Sequence, residues 1–192
     1  MFQVVIGAAA GFILGAAILK PSSKNPIHKI IPSKKWLEFC KKMAVFPQKE
    51  KHLSGRLGVF GMSPRRLSDL NLTNPPERRN VNGKAIWLAT WKPPFSEGTF
   101  LNSLPLQYKT FRRSICRYLP TAAKVLKDIA AGNVPDAPLG DAIHPQTITP
   151  SGILGLLHVA GEQGAKSWLA DPKVRQKFRH TTETFNRVNG VF

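Results

Sequence analysis

The chain has 192 residues, with 28 Lys+Arg against 11 Asp+Glu and a formal charge of +17. Hydrophobic residues make up 42%, enough for a core, which excludes wholesale disorder; two cysteines, at 40 and 116, exclude a disulfide-dense scaffold and a four-cysteine zinc site. The five histidines, at 28, 52, 144, 158 and 180, form no i,i+4 pair, so no metal or cofactor is expected, and the excess positive charge calls for an anionic partner: nucleic acid, acidic lipid or acidic protein.

Residues 1–19 contain no charged side chain. As a helix they would reach about 28 Å, close to the hydrocarbon thickness of a bilayer. The expectation is one transmembrane anchor; a cleaved signal peptide, for which the basic leader is missing, and a buried core helix are the alternatives. Gly7, Gly11 and Gly15 place one smooth stripe on such a helix, where the span of another membrane subunit could approach closely. Behind it follow Lys20, Lys24, Lys29, Lys34, Lys35, Lys41 and Lys42, with Glu38 the one acid among them. Positive residues mark the cytoplasmic or matrix side, so residues 20–192 are expected there. Residues 20–34, with Pro21, Pro26 and Pro32, read as an irregular basic strap whose lysines (Lys20, Lys24, Lys29, Lys34 and Lys35) touch anionic phospholipid, with a solvated linker as the bland alternative.

Residues 35–192 read as one all-α domain. Apolar positions at 36, 37, 39, 40 and 43 have helical spacing. Ser63-Pro64 starts a short helix through Leu70, Ser103 and Pro105 start another that buries Tyr108, Phe111 and Ile115, and residues 121–131 follow up to Gly132. Residues 133–148 form a proline-rich loop. Thr149-Pro150 starts a very apolar helix, and short helices near 164–170 and 172–187 end the chain. Val81–Leu88 is ambiguous between helix and strand, and Trp87–Phe95 is an aromatic stretch suited to core or docking.

Three segments, in order, resemble a lysozyme-like, lytic-transglycosylase-like family of peptidoglycan hydrolases. Gly55-Arg56-Leu57-Gly58-Val59-Phe60-Gly61-Met62, then Leu67 and Leu70, is similar to the family's Gly-Tyr-Leu-Gly-x-Tyr-Gln-Phe-Gly turn and its following helix. Thr99-Phe100-Leu101-Asn102 with Gln107 and Phe111 resembles its Phe-Leu-x-x-x-x-x-Gln-x-x-Ala-Phe helix. Ile148-Thr149-Pro150-Ser151-Gly152-Ile153-Leu154 through His158 to Ala165 resembles Ile-Thr-x-Ser-Gly-Leu-Leu-Ala-Ala-Ala-His-Leu-Gly-Gly-x-Gly-Gly. The resemblance implies a lysozyme-like helical fold over residues 36–192, with a cleft formed by Gly55, Gly58, Met62, His158, Gly161 and Glu162.

The family's general acid is a Glu a dozen residues before the turn, where this chain has Lys42-Met43-Ala44-Val45-Phe46-Pro47. Glycoside cleavage needs an acid within reach of the leaving oxygen. Glu38 comes too early, and Glu50 would serve only with a gap in the alignment; the family's turn Gln falls on Gly61. The expectation is therefore a degenerate enzyme with no catalytic residue, reused as an accessory subunit of a large membrane complex, first of all in the mitochondrial inner membrane. A phage or bacterial envelope transglycosylase with Glu50 as acid is the alternative. A membrane-tethered nucleic-acid binder, using Arg65-Arg66, Arg78-Arg79, Arg112-Arg113 and Lys173 to Arg179, is the third and least favoured, because no nucleic-acid module is visible.

Overall fold

The computed structural model of the chain describes residues 31–49, 51, 55–81, 83–131 and 148–192. In order, the elements are α1 (Ser33–Met43), α2 (Pro64–Asp69), β1 (Glu77–Val81), β2 (Lys84–Leu88), α3 (Glu97–Asn102), α4 (Leu104–Ala130), α5 (Pro150–Ala170), α6 (Pro172–Lys177) and α7 (Arg179–Val188). They gather into two compact units. One holds Ala44–Arg113 with the described residues before Lys34, and the other holds Lys34–Met43 and Ser114–Phe192.

Helix starts follow local chemistry. The Ser63 side chain accepts from the Arg66 amide, Ser96 from Thr99, Thr149 from Gly152 and Asp171 from Lys173, so each oxygen satisfies a donor that the first turn leaves open. Pro64, Pro150 and Pro172 occupy first-turn positions, where a missing N–H costs nothing. The two helices expected over 103–118 and 121–131 are one, α4, which continues through Pro120.

In the first unit the core is aromatic. Phe60 stacks on Phe111 with centroids 4.0 Å apart and planes at 2°, and meets Tyr108 edge-on at 4.8 Å. Leu67, Leu70, Leu72, Met62 and Phe100 complete the buried set. In the second unit α1 buries Trp36, Phe39, Cys40 and Met43, and Phe39 lies 5.4 Å from Phe192. Helix α5 packs on α7 through two glycines. A Cβ on Gly155 would come within 2.6 Å of Val188 Cγ2, and one on Gly152 within 2.7 Å of the Phe185 ring. The end of the chain is clamped to the start of α5. Ser151 Oγ accepts from the Val191 and Phe192 amides, and Thr149 Oγ1 accepts from the Gly190 amide and donates to Asn189 Oδ1.

Two expectations are corrected. The chain is not all-α: β1 and β2 pair antiparallel, from Glu77 opposite Leu88 to Val81 opposite Lys84. Asn82-Gly83 lies between the strands in the sequence, and Gly83 adopts φ +74°, the left-handed conformation that two-residue hairpin connections require. The pairing continues irregularly, with Thr73 bridged to Trp91. Three residues on one side, Asn74-Pro75-Pro76, then face two on the other, a bulge placed where two prolines have no N–H to donate.

The expected transmembrane helix is the second correction. No described helix is long and apolar enough to cross a membrane. The most apolar helix, α5, buries its run Ile153–Leu157 within its own unit and carries Glu162 and Lys166 on its exposed side. Residues 1–19, with Gly7, Gly11 and Gly15, and the strap lysines Lys20, Lys24 and Lys29 lie outside the described residues.

Candidate functional site: a tryptophan-lined cleft in the first unit

The turn Leu57–Met62 is closed at its base by paired backbone bonds, Leu57 N to Met62 O at 3.0 Å and Met62 N to Leu57 O at 2.9 Å. Gly58 and Gly61 adopt positive φ inside it. One buried side chain holds the turn. Gln107 Oε1 accepts from the Val59 amide at 2.9 Å, and its Nε2 donates to the carbonyls of Phe100 (3.0 Å), Leu101 (3.1 Å) and Gln48 (3.3 Å). The glutamine replaces backbone partners that a turn and a helix end cannot provide.

Beside the turn lies a small cleft, partly open to solvent and lined by Lys51, Gly55, Leu57, Pro64, Leu67, Thr73, Trp87, Leu88, Ala89, Trp91 and Glu97. Its walls come from the turn, α2, the two-stranded ribbon and the first turn of α3. Gly55, with φ +77°, is needed for close approach, because a Cβ there would stand 2.9 Å from the Trp87 carbonyl oxygen. Trp87 is 51% exposed, the most exposed tryptophan among the described residues, and stands opposite Arg78 in the hairpin. Trp91 is tilted against Phe100 at 5.5 Å. Lys51 Nζ and Glu97 Oε2 form an ion pair at 2.9 Å. Thr73 is 1% exposed, and its Oγ1 has no hydrogen-bond partner among the described residues. Burial also lowers the pKa of Arg56, between Gly55 and Leu57, from its ordinary value; guanidinium is so basic that it stays charged.

The combination has chemical meaning. A half-exposed indole offers a flat apolar face, while a charged pair offers polar contacts in the same concavity, and the orphaned hydroxyl of Thr73 lies buried beneath it. An orphaned buried hydroxyl costs stability unless something bonds to it. Such a mixture suits a ligand with alternating C–H faces and hydroxyls, as a sugar ring has.

The sequence-derived candidates are distributed as follows. Gly55 lines the cleft. Gly58 lies against Gln107, whose side chain would clash with any Cβ there, and Met62 is wholly buried. His158, Gly161 and Glu162 belong to α5 of the second unit. His158 is buried, Gly161 breaks the helix with φ 71° and ψ 179°, and Glu162 is exposed and paired with Lys166 at 3.2 Å. Lys34 and Lys35 are exposed at the start of α1. Glu50 lies outside the described residues. Sequence reasoning missed Thr73, Trp91 as a wall, and the pairing of Lys51 with Glu97. The one available signal was the aromatic stretch 87–95. Among the described residues no group of three or more His, Cys, Asp or Glu side chains could hold a metal ion.

Comparison of the chain with protein-family models, with curated proteins and with solved structures gives no match.

Proposed function

We propose that this protein is a non-catalytic glycan-binding module that seats a saccharide strand in the tryptophan-lined cleft. The observation that carries the reading is the cleft's chemistry: Trp87 and Trp91 on its walls, a buried hydroxyl at Thr73, and a single carboxylate, Glu97, among its lining residues. Glycoside cleavage needs a carboxylic acid free to protonate the leaving oxygen. Here the one carboxylate is engaged by Lys51 at 2.9 Å. The resemblance of the 55–62, 99–111 and 148–165 segments to peptidoglycan hydrolases supports a cell-wall type of glycan as the ligand.

The test is cosedimentation of the purified full chain with insoluble peptidoglycan, together with a count of released soluble fragments. Binding without release is expected, and Trp87→Ala should weaken it by about tenfold, in line with the loss of one stacking face. Release of fragments that stops in Glu97→Gln or Glu50→Gln would overturn the non-catalytic reading.

A second reading, accessory subunit of a larger membrane assembly such as one of the mitochondrial inner membrane, is favoured by one feature of the second unit. Phe178 is 52% exposed at the break between α6 and α7, with Lys177 Nζ 5.9 Å from its ring centre. An exposed apolar side chain beside a cation suits an acidic protein surface. Copurification in mild detergent, lost in Phe178→Ala, is its test.

A further inference from the structure

The Lys51–Glu97 pair has features that a plain surface ion pair does not need. It joins residues 46 positions apart, and both members line the cleft. Each side chain remains partly open to solvent, Lys51 at 43% and Glu97 at 38%. An exposed pair of this kind contributes little to stability. Its partners can therefore be exchanged at small cost. The ammonium has three donors, and the bond to Glu97 uses one of them. The unit around the cleft is predominantly basic: Arg78 stands across the hairpin from Trp87, with Glu77 beside it across from Leu88, and residues 44–113 contain twelve Lys+Arg against four Asp+Glu. Glu97 thus occupies, from within the chain, the position at which an anionic group of a ligand would meet Lys51.

We propose that the cleft selects an acidic saccharide, whose carboxylate displaces Glu97 from Lys51 Nζ, so that Glu97 is a built-in competitor for the ligand's charge. The inference rests on the glycan-binding reading above and names the class of sugar. Lys51 and Glu97 become specificity-determining residues. Lys51 supplies the charge-assisted bond, and Glu97 sets how much charge a ligand must bring to replace it. A neutral sugar would stack on the tryptophans and leave the pair closed.

The experiment titrates tryptophan fluorescence of the full chain with two probes of equal length, neutral N-acetylglucosamine tetrasaccharide and the alternating tetrasaccharide of N-acetylglucosamine and N-acetylmuramic acid, which carries lactyl carboxylates. Wild type should bind the carboxylated probe about tenfold more tightly, the value of one charge-assisted contact. Glu97→Gln should raise affinity for that probe by about fivefold or more and leave the neutral probe unchanged. Lys51→Met should erase the preference without abolishing neutral binding. Both substitutions are at half-exposed positions, and a thermal melt of each variant checks that it is folded. Equal affinity for the two probes, or a Glu97→Gln variant no tighter than wild type, overturns the competitor role while glycan binding stands. Failure of both probes to bind the wild type or any variant overturns the glycan reading itself.

Discussion

The two units hold their backbones by opposite means. In the second, regular helices carry their own hydrogen bonds, and stability comes from how closely they pack: glycines at 152 and 155 admit Phe185 and Val188, and Ser151 and Thr149 tie down the last residues. In the first, short elements alternate with turns, so backbone groups look to side chains. Gln107 alone serves four backbone partners on three segments, and Arg113 donates to the Leu70 carbonyl that ends α2. The contrast teaches where binding can be built. A close-packed helix pair has no spare surface to reshape, whereas irregular chain pinned at a few points leaves concavities between the pins. The cleft lies in the irregular unit.

The largest expected effect tests the pinning. Gln107→Leu keeps the volume and removes the hydrogen bonds to Val59, Phe100, Leu101 and Gln48; the Phe100 and Leu101 carbonyls keep the Ser103 amide and the Gln48 side chain, while the buried Val59 amide and the Gln48 carbonyl lose their partner. A loss of about 2–4 kcal/mol is expected from these two groups. Urea denaturation measures it, and hydrogen exchange should show the loss first at the amides of residues 57–62. A loss below about 1 kcal/mol would mean that the turn holds itself, and the contrast between the units would fail.

A smaller effect tests the packing side. Gly155→Ala gains up to about 1 kcal/mol of helix propensity. Its Cβ, however, would lie 2.6 Å from Cγ2 of Val188, which is itself wholly buried. Overpacking of this kind costs about 1–3 kcal/mol, so a net loss near 1 kcal/mol is expected in the same denaturation experiment. A net gain would show that α7 can move away freely, and that closeness is not what holds this helix pair.

The two units also differed in legibility. Helix starts at Ser63-Pro64 and Thr149-Pro150 were readable because a cap is a bond between neighbours in sequence. The hairpin was not, because β1 reads Glu-Arg-Arg-Asn, which has no alternation to betray a buried face: Glu77 to Asn80 are all exposed. Its second strand gave only the ambiguity over Val81–Leu88. The Ile-Thr-Pro-Ser-Gly segment was conspicuous as a motif, yet its hydroxyls clamp the chain's end and bear no chemistry of their own. The cleft was the least legible feature. It depends on Lys51 meeting Glu97 and Thr73 meeting Trp91 across long stretches of chain, and no local pattern encodes such meetings. The charge rule that pointed to a membrane operated on residues 20–42, and the part of that segment before Ile31 lies outside the described residues.

The smallest effect on stability is the most discriminating for function. Thr73 is 1% exposed with an unpartnered hydroxyl, an arrangement that folding alone would not favour. Thr73→Val removes the hydroxyl and keeps the shape, so it should leave stability unchanged or raise it by up to about 1 kcal/mol. If the hydroxyl is retained for a ligand, the same variant should bind the saccharide probes several-fold more weakly although its fold is intact. A rise in stability with unchanged binding would assign the hydroxyl no part in the site. A fall of 1 kcal/mol or more would reveal a partner for Thr73 within the chain, and the cleft would then owe its polarity to Lys51 and Glu97 alone.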